Sequence, residues 1–336
     1  MSRRAPGGGA LDFKGAGGST GVMFPHAVRP AGPARRRPVL RVVLGLMVPG
    51  LLAAAAPAPA ETELRANLAY AGTANPRQTL DLYLPRERPA GARWPVIVYF
   101  HGGGWVGGSK ASGKATLTPW VTAGGYAGAA VNYRLAGEAP WPAQLHDAKA
   151  AIRWLRANAD ALGLDAGRIA VVGTSAGGTL ATLLGTSGGD PALEGSVGEH
   201  PGVDTRVTCV LNRFGRLNFL AEPAARSAPA QAEALAGRLR QLFGGALEER
   251  TEIARAASPL THLTADDPPI LTVHGTADGV VPIAQAEEFD AAARRVGARH
   301  ELVRVEGAGH GFDRPDERRR SREFLDQHLR GGPAAR

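Results

Sequence analysis

An apolar run that ends in Gly-Thr-Ser-Ala-Gly constrains this sequence more than any other feature. Residues 169–172 read Ile-Ala-Val-Val, the pentapeptide occupies 173–177, and an apolar, helix-like stretch covers 179–184. A G-x-S-x-G sequence between a strand and a helix is typical of a nucleophile elbow, a strained turn that exposes a serine hydroxyl, here that of Ser175. A glycine-rich connection without chemistry has the same composition, so the motif alone leaves both interpretations open.

Strand-like and helix-like segments alternate along the chain from Leu64 onward. This alternation predicts an α/β domain, with a mostly parallel central sheet flanked by helices. The first two strands are expected to form an antiparallel hairpin, and residues 195–259 a small lid-like insertion. The predicted strands cover 65–71, 79–84, 95–100, 126–133, 169–172, 206–211, 270–273 and 301–305. The predicted helices run from Pro142 to a stop at Gly163 and over 179–184, 231–243, 283–296 and 318–329.

His-Gly-Gly-Gly-Trp at 101–105 directly follows the predicted strand 95–100. Acyl transfer needs fixed N–H donors for the developing oxyanion, and residues without side chains let the backbone approach it. Gly103, Gly104 and Ala176 are the predicted donors, with Gly102 as a further candidate. His101 is expected to position this loop rather than to act as a base. A glycine turn after a strand is the simpler alternative.

An acid and a base follow in the required order. Asp278 comes after the predicted strand 270–273, at the sheet edge where open α/β folds bind ligands, whereas Asp266 and Asp267 precede that strand. His310 lies between glycines after the predicted strand 301–305. An aspartate in a turn and a surface histidine are the alternatives.

These three side chains suit nucleophilic catalysis. His310 is expected to remove the Ser175 proton, and Asp278 to hold the imidazole in one tautomer. Ser175 then attacks an ester carbonyl, and water activated by His310 hydrolyses the acyl-enzyme. Trp105, Trp141 and the segment 213–219 are candidates for the substrate pocket.

The motifs HGGGW, GTSAGG, HGTADGVVP and GAGHGF, in this order, resemble the α/β-hydrolase superfamily. The resemblance covers roughly residues 65–330 and is closest to the bacterial esterase/lipase group with feruloyl-esterase-like and acetyl-esterase members. It implies a carboxylesterase-type serine hydrolase for small-to-medium acyl esters. Thr179 stands where relatives commonly have His, and Gly-Arg-Leu-Asn at 215–218 replaces a Gly-Pro-Thr-Asp-like turn. The acyl specificity of the group is therefore not carried over.

Two other functions share parts of this pattern. A peptidase of the prolyl-oligopeptidase type has the same triad, but the chain has no room for a large gating domain, and HGGG favours esters. A non-catalytic binding protein on a hydrolase fold usually lacks one triad member, and all three are present here. The sequence shows no phosphate loop, dinucleotide fingerprint or metal-spaced His/Cys set, so no cofactor or metal is expected.

The front of the chain resembles a leader. Residues 1–34 are rich in Gly, Pro and Ala, which predicts disorder or a start assigned too far upstream. Residues 35–60 combine four arginines, an apolar stretch and Ala58-Pro59-Ala60, the layout of a signal peptide cleaved after Ala60. The catalytic domain then spans 61–336, in a secreted or periplasmic protein. An uncleaved membrane tether is the alternative, although the apolar stretch is short for a span.

The net charge of +8 does not indicate a nucleic-acid partner. Eight of the 39 Lys and Arg residues, but one of the 31 Asp and Glu residues, lie within 1–60. The remaining chain is therefore close to neutral, so a nucleic-acid partner is not expected. The single cysteine, Cys209, lies in an apolar run, where a buried inert thiol is expected.

Overall fold

A twisted sheet of eight strands organises the part of the chain that is described, residues 62–331 except 88, 90, 124 and 222–228, in this computed structural model. The spatial order is β1-β2-β4-β3-β5-β6-β7-β8. The strands are β1 Thr62–Ala69, β2 Thr79–Pro85, β3 Trp94–Phe100, β4 Ala127–Val131, β5 Leu164–Thr174, β6 Cys209–Arg213, β7 Ile270–Gly275 and β8 His300–Val305.

Helices connect these strands and cover both faces of the sheet. In chain order they are α1 Gly113–Thr122, α2 Ala143–Ala157, α3 Ala159–Leu162, α4 Ala176–Thr186, α5 Pro191–Glu194, α6 Pro229–Phe243, α7 Thr251–Ala256, α8 Pro259–His262, α9 Ile283–Val296 and α10 Pro315–Arg330. None of the described helices is long and apolar enough to cross a membrane.

The strand pairing follows from the apolar runs. Six strands pair in parallel, in the spatial order β4-β3-β5-β6-β7-β8. Parallel strands are buried on both faces, so they read as continuous apolar sequence. β1 pairs with β2, and β2 with β4, in the antiparallel sense. The predicted α/β fold with a mostly parallel sheet and an opening hairpin is therefore confirmed.

The two faces of the sheet bury different side chains. Neighbouring strand residues alternate between the faces, which places Val98 and Val171 on one face and Ile97 and Val172 on the other. On the first face they pack with residues of α2 and α4, including Leu145, Ile152, Leu180 and Leu184. On the second face they pack with residues of α1 and α10, including Leu117, Val121, Phe324 and Leu325.

Several elements differ from the sequence-based expectation, among them α1, α2 and β6. α1 was not predicted, because its buried residues Leu117 and Val121 give only a short apolar period around Pro119. The helix expected to run to Gly163 ends at Ala157, and Gly163 instead caps the separate α3 with a left-handed φ of 69°. β6 begins at Cys209, where its ladder with β5 starts, rather than at residue 206.

The expected leader lies outside the described residues. Both the segment 1–34 and the signal peptide 35–60 belong to that part of the chain. Their assignment remains a prediction from sequence.

Candidate active site

Ser175 stands at the sharp turn between β5 and α4. Its φ of 54° and ψ of −123° are strained for a residue with a side chain, and its N–H donates to the Arg213 carbonyl at 2.9 Å. The turn is too tight for side chains on either side. A Cβ on Gly173 would lie 2.0 Å from the Gly177 carbonyl oxygen, and a Cβ on Gly177 would lie 2.1 Å from the Phe100 oxygen. These contacts explain why glycine flanks the serine.

His310 lies on the loop between β8 and α10 and reaches the serine hydroxyl. Its Nε2 is 2.8 Å from the Ser175 Oγ, and its Nδ1 is 2.8 Å from the Asp278 Oδ2. A carboxylate only accepts hydrogen bonds, so Nδ1 carries the proton and Nε2 is left to accept from the hydroxyl. The edge of the Phe214 ring packs against the imidazole, with ring centroids 4.9 Å apart.

Asp278 follows β7 and is buried beneath His310. Its Oδ1 accepts hydrogen bonds from the N–H groups of Val280 and Val281 at 2.8 and 2.9 Å, and its Oδ2 lies 3.3 Å from the His274 Nε2. Burial by itself would raise the pKa of Asp278, but the hydrogen bonds from His274, His310 and Val281 hold it well below its usual range. The carboxylate is therefore ionised at neutral pH. Asp267 bonds to Thr264 before β7, away from this arrangement.

The HGGGW loop curls beside Ser175 after β3. The Gly103 carbonyl accepts a hydrogen bond from the N–H of Gly107 at 3.1 Å. Residue 103 has a φ of 128°, and a Cβ there would lie only 2.1 Å from the Gly107 oxygen. Both observations require glycine at this position. Ala176 is the first residue of α4, where a backbone N–H has no partner within the helix. Gly103, Gly104 and Ala176 all line the cavity that Ser175 and His310 face.

His101 supports this loop from below. It is completely buried, its Nδ1 donates to the Gly102 carbonyl at 2.7 Å, and its ring stacks on Tyr133 at 4.3 Å. The Tyr133 hydroxyl in turn donates to the His101 carbonyl at 2.7 Å. Burial, opposed in part by the bond to Gly102, lowers the pKa of His101 to about 4, so the ring is neutral. It lies in a supporting position rather than beside the serine.

A cavity of about 410 Å³ opens in front of Ser175. Its wall is mostly apolar, but it contains two arginines, Arg216 and Arg238. The lining residues are Gly103, Gly104, Trp105, Ser175, Ala176, Thr179, Phe214, Arg216, Leu235, Arg238, Leu239, Val280, Val281 and His310. Three of them belong to α6, so the segment predicted to be lid-like contributes one side of the cavity.

The structure separates the candidate pocket residues that the sequence grouped together. Trp105, Phe214 and Arg216 line the cavity, whereas Arg213 pairs with Glu317 and Asn218 donates to Glu288. The pocket residues that the sequence-based prediction lacked are those of α6, together with Val280 and Val281. The one usable signal was the position of 280–281 directly after Asp278, on the loop at the active edge.

No metal site is apparent in the described part of the chain. Within it, no group of three or more His, Cys, Asp or Glu side chains is arranged to hold a metal ion.

Comparison with known proteins places the chain among esterases. The BD-FAE family model matches residues 80–292. Esterase LipC of Mycobacterium tuberculosis is 36% identical over 241 residues, 71% of this chain and 58% of that protein. Esterase LipQ of the same organism is 30% identical over 239 residues, 70% of this chain and 54% of that protein. The chain thus spans little more than half the length of these curated relatives.

Two solved esterase structures match this chain over a larger share of their own length than the curated relatives do. A truncated carbohydrate esterase from gut microbiota superimposes with a TM-score of 0.72 at 29% identity, covering 82% of this chain and 99% of that one. The esterase Est2 of Thermogutta terrifontis superimposes with a TM-score of 0.61 at 30% identity, covering 80% and 92%. The matched family model, the sheet and its flanking helices lead to one conclusion: this chain belongs to the BD-FAE family of α/β-hydrolase esterases.

Proposed function

We propose that this protein is a serine carboxylic-ester hydrolase for small-to-medium acyl esters. The observation that carries the proposal is the pair of 2.8 Å contacts that link Ser175 to His310 and His310 to Asp278. A nucleophile, a base within hydrogen-bond reach and a third group that orients the base together make the minimal set for covalent acyl transfer.

The reaction follows from these contacts. His310 Nε2 takes the hydroxyl proton as Ser175 Oγ attacks the ester carbonyl, and the imidazolium then protonates the leaving alkoxide. Ionised Asp278 stabilises the transient imidazolium and keeps the proton on Nδ1. Water enters, His310 removes its proton, and attack on the acyl-enzyme releases the acid and restores the serine.

The backbone donors act on the charge that develops at the carbonyl oxygen. Gly103, Gly104 and Ala176 line the same cavity as Ser175, and their N–H groups are the proposed oxyanion donors. Donors held in place before the reaction stabilise the tetrahedral intermediate without reorganisation, which is worth about 3–4 kcal/mol per donor in related chemistry. His101 and Tyr133 hold this loop by their mutual stacking.

Covalent labelling tests the nucleophile. A serine-directed fluorophosphonate is expected to label the wild-type protein stoichiometrically, and Ser175→Ala to abolish labelling and lower kcat by at least about a thousandfold. Ser187→Ala is the matched control, because it makes the same change at a buried serine at the far end of α4, which does not line the cavity. Labelling that persists in Ser175→Ala, or is lost in Ser187→Ala, would contradict the assignment.

A substrate panel tests the acyl size. The cavity of about 410 Å³ is at the small end of the range for ligand pockets, roughly 300–1,000 Å³. Among p-nitrophenyl esters from acetate to palmitate, with methyl ferulate added, kcat/KM is expected to peak among the shorter chains. A maximum at palmitate would overturn the size assignment. Hydrolysis of a prolyl-peptide amide in preference to all esters would favour a peptidase instead.

We also propose that the protein is exported, on the strength of the leader sequence. The arginines, apolar stretch and Ala-Pro-Ala of 35–60 support removal after Ala60. Mass spectrometry of the extracytoplasmic protein is expected to find a chain that begins at Glu61. Replacing Ala58 and Ala60 with bulky residues should leave an uncleaved precursor, whereas a full-length chain confined to the cytoplasm would refute export.

A further inference from the structure

Arg216 is a buried cation on the wall of the Ser175 cavity. It follows β6, is 7% exposed and lines the cavity together with the nucleophile and His310. Its loop is firmly held, because the N–H groups of Leu217 and Asn218 both donate to the Gln285 Oε1, at 3.0 and 3.2 Å. The guanidinium is therefore presented to the cavity by a rigid backbone.

This guanidinium has no hydrogen bond or ion pair among the described residues, unlike the other deeply buried cations. Lys149 donates to Glu194 and the Ser187 carbonyl, and Arg153 donates to Glu194 and the Val197 carbonyl. Burial lowers the pKa of Arg216 to about 10, against an opposing effect of Asp278, so the side chain stays charged at neutral pH. A buried charge without a partner is costly, which makes a ligand that supplies the partner favourable.

Contact with the Ser175, His310 and Asp278 side chains does not explain why Arg216 is buried at this position. Asp278 influences it electrostatically, yet no hydrogen bond joins the two side chains in the described structure. The carboxylate oxygens of Asp278 already accept from Val280, Val281 and His310, with His274 alongside. The free donors of Arg216 are therefore left for the contents of the cavity.

A second arginine strengthens the positive field of the same cavity. Arg238 extends from α6 toward the HGGGW loop, the proposed oxyanion loop. Its guanidinium comes so close to this loop that a Cβ on Gly104 would lie 3.0 Å from one of the guanidinium nitrogens. No described residue that lines the cavity is an Asp or a Glu. Both arginines therefore face the substrate space without a neutralising carboxylate on its wall.

We propose that the ester hydrolysed here carries a carboxylate, which Arg216 binds inside the cavity while Arg238 adds attraction beside the oxyanion loop. This inference rests on the proposed esterase function. One guanidinium fork matches the two oxygens of a carboxylate, and the remaining wall, which includes Trp105, Leu239 and Val281, suits the hydrocarbon part. The carboxylate belongs either to the acyl group or to the alcohol, and two substrate pairs separate these sources.

The first pair places the charge on the acyl side. Mono-4-nitrophenyl adipate and 4-nitrophenyl hexanoate share their leaving group and chain length and differ by a carboxylate in place of a methyl group. The second pair places it on the alcohol side, with 4-acetoxybenzoate against the neutral 4-acetoxybenzamide. For wild-type protein, the ratio of kcat/KM between charged and neutral ester is expected to exceed about ten in one pair, because a charge-assisted hydrogen bond replaces a contact with an uncharged group. The ratio should fall with added salt.

Arginine variants test whether Arg216 and Arg238 cause this preference for the charged ester. Arg216→Gln is expected to lower the ratio roughly tenfold or more, and Arg216→Lys to restore part of it. Arg238→Gln, at an exposed position that folding tolerates, should lower it by a smaller factor. Arg240→Gln is the matched control, because it removes a charge from the same helix at a residue that does not line the cavity, and it should leave the ratio unchanged.

The outcomes separate the two proposals. A wild-type ratio at or below one in both pairs, or a ratio unchanged in Arg216→Gln and Arg238→Gln, overturns the carboxylate assignment while esterase activity stands. Absence of hydrolysis of every ester in both pairs overturns the proposed function itself.

Discussion

Three histidines lie in or beside the active site, and their surroundings give them different tasks. His310 is partly open to the cavity and contacts Ser175, whereas His274 is buried between Asp278 and the Val281 carbonyl. His101 is buried under the oxyanion loop, stacked on an aromatic ring. The same side chain therefore contacts the serine in one place, lies against the Asp278 carboxylate in another and supports the HGGGW loop in a third.

The buried His101 predicts a loss of stability in mild acid. Its folded pKa of about 4 lies below the unfolded value near 6.5, so the unfolded state binds the proton first and stability falls as pH drops from about 6.5 to 4. The full effect is about 3 kcal/mol. Urea denaturation of wild type and His101→Asn, whose amide still offers a donor to Gly102, should show a shallower pH dependence in the variant. Parallel curves would refute this account.

Glycine at 103 is required by the shape of the oxyanion loop. In Gly103→Ala the added Cβ meets the Gly107 oxygen at 2.1 Å and the backbone is held at a φ unfavourable for alanine. The loop must shift, so kcat on a p-nitrophenyl ester should fall about a hundredfold. Gly107→Ala is the matched control, because its Cβ would have only an ordinary contact at 3.8 Å. Equal losses in the two variants would contradict the prediction.

At the scale of elements, the short α5 is tied to α2 by ion pairs, in addition to the burial of its Leu193 in the core. Glu194, the last residue of α5, accepts hydrogen bonds from Lys149 and Arg153 of α2 and from the Thr205 hydroxyl. Burial lowers the pKa of Lys149, and the carboxylate of Glu194 opposes that shift. The carboxylate of Glu194 thus neutralises two cations whose burial in the protein interior would otherwise be unfavourable.

Removing that carboxylate should destabilise the protein strongly. Glu194→Ala leaves Lys149 and Arg153 buried without their counter-ion, and the free energy of unfolding is expected to fall by about 3–5 kcal/mol. Glu252→Ala, at an exposed site on α7, should change it by less than about 0.5 kcal/mol. Chemical denaturation measures both, and Lys149→Met in the Glu194→Ala background should recover part of the loss. A change as small as that of Glu252→Ala would refute the ion-pair account.

The whole molecule brings the site together at one edge of the sheet. Five parts of the candidate site follow successive parallel strands: the HGGGW loop follows β3, Ser175 follows β5, Arg216 follows β6, Asp278 follows β7 and His310 follows β8. Because these strands are parallel, their carboxyl ends share an edge, and loops distant in sequence meet there. The rest of the sheet supports that edge, with helices packed on both of its faces.

The central position of β6 makes Cys209 a reporter of global unfolding. It is the single cysteine of the chain, it is completely buried, and burial raises the pKa of its thiol. Thiol labelling of native protein is expected to be slow and to accelerate with denaturant in step with global unfolding. The free energy from labelling rates should match that from urea denaturation, and Cys209→Ala should take up no label. Complete labelling of native protein within the mixing time would show that β6 is accessible.

Local sequence determined much of this protein. The apolar runs located the central strands, and the glycine-flanked motifs placed Ser175, Asp278 and His310 after the right strands, because turn and strand signals extend over only a few residues. The triad roles of these residues and the leader stay predictions.

Only the tertiary structure decided the features that depend on pairing between distant segments. The start of β6 was set by its register with β5. The presence of Arg238 from α6 above the oxyanion loop, and the lack of a partner for Arg216 among the described residues, likewise depend on which chain segments meet. Burial and the pairing of charges are properties of the assembled fold, so no local pattern reveals them.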